Sequence, residues 1–549
     1  MPGGIDLKNT SRQNSKINVK GEVMTKVIAT ESQLNTKEVD DLLVLCEEVM
    51  RATPEGAHRF IEPAPGVLAR AKSKQHNIVF GRRGSGKSSL LRKTAADLTI
   101  DRRPIAFVDL ETFKGHSYPD VLISVLIKTL GEFERWLSSA AINPATKTTF
   151  WKRLFGTAPK RPPFHKAKTA ALQSSLKEII KDLEAQLRAP ETSTKQTTTS
   201  IANELTSSGQ LGTTATVPGM SSSVSANIAA KSNSAKEEQT NYVSHKVEYL
   251  HQNILCFQDF FKELSTLSDG HSFLILDDLY HIRKADQAKV IDYFHRVAKG
   301  NGMRLKVGTI KHRSQWYEHS DPPIGMKLGD DAREINLDVS LEKFETLKKF
   351  LKQVLDNLIA EHPPLSSREL INPTAIDRIT IASGGVTRDF VGIFSGSIAV
   401  ARNRGPEHHR GPKIGLEHVN LAAGDYDSNK REEFKLDSAE DRVVLEAAFE
   451  KLVTFCTETS KCNVFLVSQK LTGTVRESID QLIDLRMIHS VKSRVTLKKG
   501  AAGELYKAYM LDLSQYTASR KVHDFHMVDL SGNEKDEAIR KSSLIYAGD

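Results

Sequence analysis

The sequence predicts an α/β fold: a parallel sheet with helices on both faces, then a helical lid and a C-terminal winged helix. Five short apolar segments alternate with helix-compatible segments between residues 77 and 338, which is typical of a parallel sheet covered on both faces. A glycine-rich loop joins the first apolar segment to the first helix of this series. After Asp437 come a long helix (438–458), a short apolar segment, a helix near 474–486 and two strand-like runs around 498–503. That order predicts a winged helix-turn-helix.

The glycine-rich loop, Gly81-Arg-Arg-Gly-Ser-Gly-Lys-Ser88, has the G-x-x-x-x-G-K-S pattern of a phosphate-binding loop, or P-loop, with a strand (77–80) before it and a helix-compatible run (88–98) after it. Its glycines allow positive φ, so that backbone N–H groups can surround phosphate oxygens. Lys87 brings positive charge to the β- and γ-phosphates, and the Ser88 hydroxyl can ligate Mg²⁺. A surface turn rich in glycine and lysine is the alternative, but it would not supply both flanking elements. We therefore predict that ATP and Mg²⁺ bind through Gly81, Gly84, Ser85, Gly86, Lys87, Ser88 and Ser89.

Two carboxylates end a later apolar strand, Phe273-Leu-Ile-Leu-Asp277-Asp278. Beside a P-loop, Asp277 would bind the Mg²⁺ shell and Asp278 would orient or deprotonate the attacking water. Acidic residues that merely cap the next helix are the alternative. We predict Ser88 and Asp277 as metal-binding residues and Asp278 as a catalytic residue.

Two further positions complete the predicted site. Thr309 ends a strand (304–309) and would bring a hydroxyl to the γ-phosphate, although threonine is also an ordinary strand residue. In Ser383-Gly-Gly-Val-Thr-Arg388, two glycines precede a helix with an arginine in its first turn. A cation there opposes the helix dipole unless an anion lies in front of it, and a phosphate is the obvious candidate.

Composition describes a soluble globular chain of several domains, since 549 residues are too many for one simple core. Apolar residues make up 39 % and charged residues 26 %. The net charge of +9 suits an anionic partner without proving one. Four scattered cysteines fit neither a zinc site nor a disulfide framework, and the sequence has no signal-peptide core and no run of 18 apolar residues. We expect a cytoplasmic protein with no membrane partner.

The domain organisation follows from these patterns. Between the helix that starts near Tyr118 and the strand at Ser272 lies an insertion. The predicted domains are a flexible tail (1–35), a P-loop ATPase core (36–339, with the insertion at 138–243), a helical lid (340–403), a linker (404–437) and the winged helix (438–549).

The insertion has three parts. Residues 147–168 combine seven basic residues and no acidic one with four aromatic residues. They could follow a nucleic-acid backbone and stack on bases, lie against an acidic lipid surface, or form a solvated loop. Residues 168–188 predict an amphipathic helix, and the Ser/Thr-rich stretch 191–240 predicts a disordered or weakly ordered loop.

This order of motifs resembles the AAA+ ATPases of the origin-recognition-complex (ORC/CDC-like) type, in particular their bacterial branch. The resemblance covers about residues 55–137 and 250–403 and includes Tyr118-Pro-Asp-Val-Leu122, Thr309-Ile-Lys-His-Arg313 and Ile335-Asn-Leu-Asp-Val-Ser-Leu-Glu342. It implies an ASCE/AAA+ sheet, with Thr309 as the sensor-1 residue and Arg388 as the sensor-2 arginine. It also implies a homo-oligomer with an arginine finger acting in trans, for which Arg313 and Arg333 are candidates, although either could be a surface residue.

Two departures from the family pattern matter. Position 278 is Asp where these ATPases usually carry Glu, so we expect hydrolysis to be slow or stimulated by a partner. The insertion at 138–243 is unlike the eukaryotic and archaeal initiators.

The winged helix could bind DNA or only pack on protein. The helix near 474–486 buries Val475, Ile479 and Leu482 and leaves Arg476, Glu477, Asp480 and Gln481 outward, a mixed set poorly suited to reading bases. Phosphate contacts are better supplied by Lys492, Arg494, Lys498 and Lys499 in or beside the wing.

Two functions remain open from the sequence. The first is an ATP-dependent switch or motor associated with duplex or single-stranded DNA, which by resemblance would serve bacterial defence or DNA maintenance. The second is a signalling ATPase of the STAND type that works through protein partners without DNA. No nuclease or protease motif is visible, so we expect an effector protein partner.

Overall fold

A computed structural model describes residues 33–142, 166–188, 245–267, 270–403, 413–437, 441–497 and 503–548, with positions 518, 519, 521, 531 and 533 excepted. Several sequence predictions lie outside the described residues: almost all of the tail, most of the basic aromatic stretch, the Ser/Thr-rich loop, and Lys498 and Lys499. No helix in the described ranges is both long enough and apolar enough to cross a membrane.

A five-stranded parallel sheet forms the centre of the first part of the molecule. Its order is β2-β3-β4-β1-β7, so that β4 separates the strand before the P-loop from the strand that ends in Asp277. This order confirms the predicted P-loop fold class of ASCE/AAA+ type. The short strands β5 (Tyr317–Glu318) and β6 (Ile324–Gly325) pair with each other. The sheet strands are β1 (Asn77–Phe80), β2 (Ile105–Asp109), β3 (Ser272–Asp277), β4 (Met303–Thr309) and β7 (Arg333–Asn336).

Both faces of this sheet are covered, because side chains alternate between the two faces of a strand. Ile78 and Leu274 pack into one apolar cluster with α4, α7 and α8. Their neighbours Val79 and Ile275 pack into a second cluster with α2 and α3. We call the sheet and these helices the P-loop core. Its helices are α2 (Val67–Ala71), α3 (Lys87–Ile100), α4 (Asp120–Ile142), α5 (Lys166–Arg188), α6 (245–252), α7 (Ile254–Thr266) and α8 (Lys284–Ala298).

Helix α5 corresponds to the amphipathic helix predicted within the insertion. Its buried residues Leu172, Leu176 and Leu183 belong to the same apolar cluster as α4. Lys246, on α6, places its Nζ 2.7 Å from Asp120 Oδ1 at the start of α4. Helix α5, a described part of the predicted insertion, therefore packs on the core.

The lid consists of α9 (Phe344–Ile359), α10 (Ser367–Leu370), α11 (Pro373–Ala382) and α12 (Thr387–Asn403). Helix α1 (Lys37–Glu48) packs on these helices and not on the sheet, although the sequence placed it in the ATPase core. Its buried Val39 and Leu42 join the apolar cluster of the lid, and Arg402 of α12 pairs with Asp40 at 2.7 Å.

Residues Leu416–Asp437, predicted to be part of a linker, instead form a 22-residue helix, α13. The prediction was wrong because the helix is polar overall and its buried face uses small residues, including Ala422 and Ala423. Those residues pack closely on α12. A Cβ on Gly392 would lie 2.7 Å from the Tyr426 ring, and one on Gly396 would lie 3.4 Å from Ala422.

The C-terminal part has the elements of a winged helix. Helix α14 (Arg442–Thr454) is followed by β8 (Val464–Ser468), α15 (Thr474–Asp484), β9 (Ile488–Val495), β10 (Tyr506–Leu511) and the short α16 (Lys535–Ala538). The three strands form an antiparallel sheet in the order β8-β10-β9. The short apolar segment of the sequence is thus strand β8, and the wing joins β9 to β10.

One apolar cluster runs through the lid, α13 and the winged helix. Residues from all three parts belong to it, among them Leu347, Ile379, Phe394, Val419, Ile479 and Tyr509. We call this body the arm. The molecule thus has separate apolar clusters in the P-loop core and in the arm.

Candidate nucleotide-binding site

The carboxyl ends of the parallel strands bring the predicted site residues to one edge of the sheet. The P-loop follows β1, Asp277 ends β3 and Thr309 ends β4. The register pairs Phe80 with Thr309 and Asp109 with Asp277. Ligands of open α/β sheets bind outside this edge.

Two of the three P-loop glycines have the positive φ that the sequence predicts, and the third, Gly81, does not. Gly84 and Gly86 have φ angles of +81° and +95°. A Cβ on Gly81 would lie 2.2 Å from Ser85 Oγ and 3.2 Å from Lys87 Cγ, so a larger residue here would displace two side chains of the loop. Helix α3 begins at Lys87 and directs its first N–H groups toward the loop.

Two polar side chains of the loop are buried without strong partners. Lys87 is 5 % exposed, and its Nζ donates only a long hydrogen bond, 3.3 Å, to the Arg82 carbonyl oxygen. The Ser85 Oγ is buried and has no hydrogen-bond partner among the described residues. Buried donors in this state fit an anionic oxygen, which a phosphate would supply.

Asp277 is buried beside the P-loop and hydrogen-bonded by Ser88. Burial, followed by repulsion from Asp278, raises the pKa of Asp277 to about 7. A buried carboxylate with a raised pKa gains from a nearby cation, and a carboxylate with a hydroxyl suits Mg²⁺. Gly308 of β4 makes room for this carboxylate, since a Cβ there would lie 2.6 Å from Asp277 Oδ1. The residues at these positions therefore fit Mg²⁺ and a nucleoside triphosphate.

Asp278 lies at the mouth of the site in a left-handed conformation, with φ +56°. Its pKa is raised mainly by burial, and Lys87 and His281 act against that shift. Asp109, which ends β2, and Glu111, which follows the strand, also raise it. The sequence did not single out this second pair of carboxylates. The sequence feature that could have revealed them is Asp109, a carboxylate at the end of β2, the strand next to β3.

Thr309 is fully buried, and its hydroxyl hydrogen-bonds to the Ser314 hydroxyl in the same loop. The structure thus brings Thr309 to the correct edge of the sheet. Its sensor-1 role stays a prediction.

Arg388 lies directly against the P-loop. Its backbone N–H donates to the Gly84 carbonyl oxygen at 3.1 Å. A Cβ on Gly84 would lie 2.7 Å from the Arg388 Cβ, so the arm touches the loop at this point. The first turn of α12 is therefore beside the predicted phosphate position.

Close packing explains why the two residues Gly384 and Gly385, before Val386-Thr-Arg388, are glycines. A Cβ on Gly384 would lie 1.9 Å from Nδ1 of His489 in the winged helix, and one on Gly385 would lie 2.4 Å from the Val339 carbonyl oxygen. Both residues have positive φ. They allow the lid turn to approach the winged helix and the end of the core.

The two arginine-finger candidates lie at opposite edges of the sheet. Arg313 is in the turn after β4, Lys311–Arg313, which we call the β4 turn. It is half-buried on the side of its own P-loop. Arg333 is exposed and begins β7 opposite Asn77, so it lies about 10 Å from the P-loop edge.

Arg82 and Asp338 are site residues that the sequence did not reveal. Arg82 is buried, and both its N–H and its Nε donate to Asp338 Oδ1, at 2.9 and 3.2 Å. Its Nη2 donates to the Gly384 carbonyl oxygen at 2.9 Å. This second residue of the P-loop therefore ties the core to the arm. Because 256 residues separate it from Asp338 in the chain, no local pattern could have revealed the pair.

The predicted DNA-contacting residues of the winged helix are less free than expected. Lys492 pairs with Asp536 at 2.7 Å, whereas Arg494 is exposed. On α15, Arg476 forms a two-contact ion pair with Asp480, at 2.9 and 3.0 Å. Ion pairs within the winged helix thus neutralise the positive charges of Lys492 and Arg476.

The comparisons with known proteins add little to this geometry. No protein-family model and no curated protein matches the chain. Among solved structures, the chain is similar to the Aeropyrum pernix ORC1 protein in complex with DNA. The sequence identity is 12 %, the match covers 87 % of this chain and 89 % of that chain, and the TM-score is 0.29. The fold class of the protein therefore rests on its own strand order and P-loop.

Proposed function

We propose that this protein binds Mg²⁺-ATP between the P-loop core and the arm and hydrolyses it slowly. One observation carries the proposal. The P-loop, the buried Asp277 with its Ser88 partner, and Arg388 of the arm meet at the carboxyl edge of one parallel sheet. Because the phosphate-facing donors Ser85 and Lys87 are buried with few or no partners, the site favours a highly charged anion.

The residues divide the work as follows. The P-loop N–H groups, Ser85 and Lys87 hold the phosphates, while Ser88 and Asp277 hold Mg²⁺, which neutralises phosphate charge when bound. Asp278, whose pKa is raised by burial, accepts a proton from water or orients it. Arg388 supplies positive charge from the arm, so that the arm senses the nucleotide.

Replacement of Lys87 tests nucleotide binding. Lys87→Ala should lower the affinity for a fluorescent ATP analogue by about tenfold or more, because it removes the cation that faces the β- and γ-phosphates. Lys93→Ala, on the same helix but paired at the surface with Asp97, is the matched control. Equal affinity of the two variants would contradict the proposal.

An arginine finger in trans is a further part of the proposal, and exposure favours Arg333 over Arg313. Arg333 cannot reach its own P-loop and could act only on a neighbouring copy. Mixing Arg333→Ala with Lys87→Ala should then partly restore the ATP turnover rate, and ATP should increase the mass of the species seen by light scattering. A monomer in every nucleotide condition would exclude the homo-oligomer.

We also propose that the bound nucleotide controls DNA binding. The wing, and not α15, would contact the DNA. Arg494 is exposed at the wing, and the predicted contacts Lys498 and Lys499 follow it in sequence. The ATP turnover rate of the purified protein with and without duplex DNA tests this directly. Stimulation by DNA supports the DNA-associated switch or motor. A role in defence or DNA maintenance, and an effector protein, remain predictions.

One observation favours the second candidate, a STAND-type switch without DNA. The outward face of α15 meets the β4 turn of the same chain, since the His312 N–H donates to Asp484 Oδ2 at 2.9 Å. A winged helix used in this way contacts protein. An ATP turnover rate that DNA does not change, in a protein that stays monomeric with and without nucleotide, would support this candidate.

A further inference from the structure

The last turn of α15 is docked on the P-loop core. Asp484, at its C-terminal end, is 5 % exposed and accepts a hydrogen bond of 2.9 Å from the His312 N–H. Asp480 and Arg476, one and two turns earlier, lie close enough to His312 to influence its pKa in opposite directions. The C-terminal end of this face of α15 therefore lies against the β4 turn, whereas Glu477 in the first turn of the helix is exposed.

This contact is continuous with the P-loop. The β4 turn begins two residues after Thr309, and Thr309 ends a strand beside β1. Asp484 also lies close enough to Asp338, Arg82 and Arg313 for their charges to shift its pKa. Arg82 is a P-loop residue and is held by Asp338 at 3.2 Å. Asp338 of the core and Asp484 of α15 therefore both lie near the Arg82 guanidinium.

The arm carries α15 as part of one body. The lid and the winged helix share a single apolar cluster, whereas the sheet packs into two others. Several contacts between arm and core near the P-loop are polar. They include Arg82 with the Gly384 carbonyl oxygen at 2.9 Å and Arg83 with Glu433 at 3.8 Å. Polar contacts between separately packed bodies can open without exposing an apolar core.

We propose that docking of α15 on the β4 turn and nucleotide occupancy of the P-loop oppose each other through Asp484. This inference rests on the proposed binding of ATP. The phosphates add several negative charges beside Arg82, where Asp338 and Asp484 already lie, so repulsion between them and Asp484 increases. ATP therefore loosens α15, and docked α15 weakens ATP binding by the same factor.

The test uses the full-length protein at pH 8 with two isosteric variants. Asp484→Asn removes the docked charge but keeps an oxygen that can accept from His312. Glu477→Gln removes a charge from an exposed position on the same helix. Asp484→Asn should bind a fluorescent ATP analogue about fivefold more tightly than wild type, and Glu477→Gln should bind it as wild type does. A Mg²⁺ complex of ATPγS should raise amide exchange over residues 474–485 in wild type but not in Asp484→Asn.

Equal affinities of the two variants, or unchanged exchange over 474–485 in nucleotide-bound wild type, would overturn the inference and leave nucleotide binding intact. Failure of wild type to bind the analogue would overturn the proposed function and the inference with it. Lys87→Ala should abolish the exchange response, because the effect originates at the phosphates.

Discussion

The P-loop core and the arm differ in how they are held together, and the difference bears on function. The core is a parallel sheet between two apolar clusters, and its predicted site residues lie at one edge of the sheet. The arm has one apolar cluster and, in addition, a buried ion-pair network that joins the lid to the winged helix. In that network Arg486 pairs with Asp389 and Glu433.

The network extends through Lys430, which lies 2.7 Å from Asp512 and 3.7 Å from Asp389. His489 contacts Asp512 at 2.7 Å, and burial lowers the pKa of His489 while Asp512 acts against that shift. Asp389 follows Arg388 directly. In the proposed function the core supplies the chemistry, whereas the arm brings Arg388 beside the P-loop and joins it to the winged helix.

The largest expected effect separates chemistry from binding within the core. Asp278→Asn should lower the ATP turnover rate by about 100-fold or more, because it removes the group that handles the attacking water. ATP affinity should stay close to wild type. Asp259→Asn, exposed on α7, is the control. Undiminished turnover in Asp278→Asn would remove this residue from the mechanism.

The next effect concerns the arm. Arg486→Ala leaves Asp389 buried without its main partner, so the arm should lose about 3 kcal/mol of unfolding free energy. The surface pair Lys352–Asp356, about 40 % exposed, gives the control Lys352→Ala, for which a loss below about 1 kcal/mol is expected. Denaturant unfolding followed by hydrogen exchange would measure both. An equal loss in core strands would show that core and arm unfold together and are not separate bodies.

A smaller effect depends on pH. Burial, followed by repulsion from Asp338, raises the pKa of Asp484 to about 7, while the His312 N–H, Arg82 and Arg313 act against the shift. The docked state therefore holds a proton that the undocked carboxyl has released, and docking weakens as pH rises from about 4 to 7. The thermal midpoint of wild type should match that of Asp484→Asn near pH 4 and fall progressively below it as pH rises to about 7. Parallel profiles of the two proteins would contradict the assignment.

The smallest effect concerns the wing. Replacing Lys498 and Lys499 by Ala should weaken duplex DNA binding equally across sequences and flatten the salt dependence by about one to two units. Arg494→Ala should act in the same direction, and Lys262→Ala, exposed on the core helix α7, should have no effect. Fluorescence anisotropy at several salt concentrations measures this. Unchanged affinity in all wing variants would assign the winged helix to protein contacts.

The core was predictable because its signals are local. β1 and β3 occupy the predicted residues, and α3 differs from the prediction only at its ends, which are the least certain part of any helix. Gly84 and Gly86 of the P-loop have the expected positive φ, whereas Gly81 does not. Each of these features depends on a few consecutive residues.

The arm was predictable only in part, because its contacts join distant residues. Gly384 is separated from His489 by 105 positions, yet a Cβ on Gly384 would collide with the His489 ring. Helix α13 was missed because its small buried residues carry little periodic signal. The docking of Asp484 on His312, 172 residues away, depends on how the two bodies meet.

The most direct test of the central claim is a hydrogen-exchange footprint of Mg²⁺-ATPγS on the full-length protein. If core and arm share the phosphates, bound nucleotide should protect residues 81–89 of the P-loop and residues 384–390 of the arm at the same nucleotide concentration. Neither segment should be protected in Lys87→Ala. Protection of the P-loop without protection of the arm, or of neither segment in wild type, would contradict a nucleotide site built from both bodies.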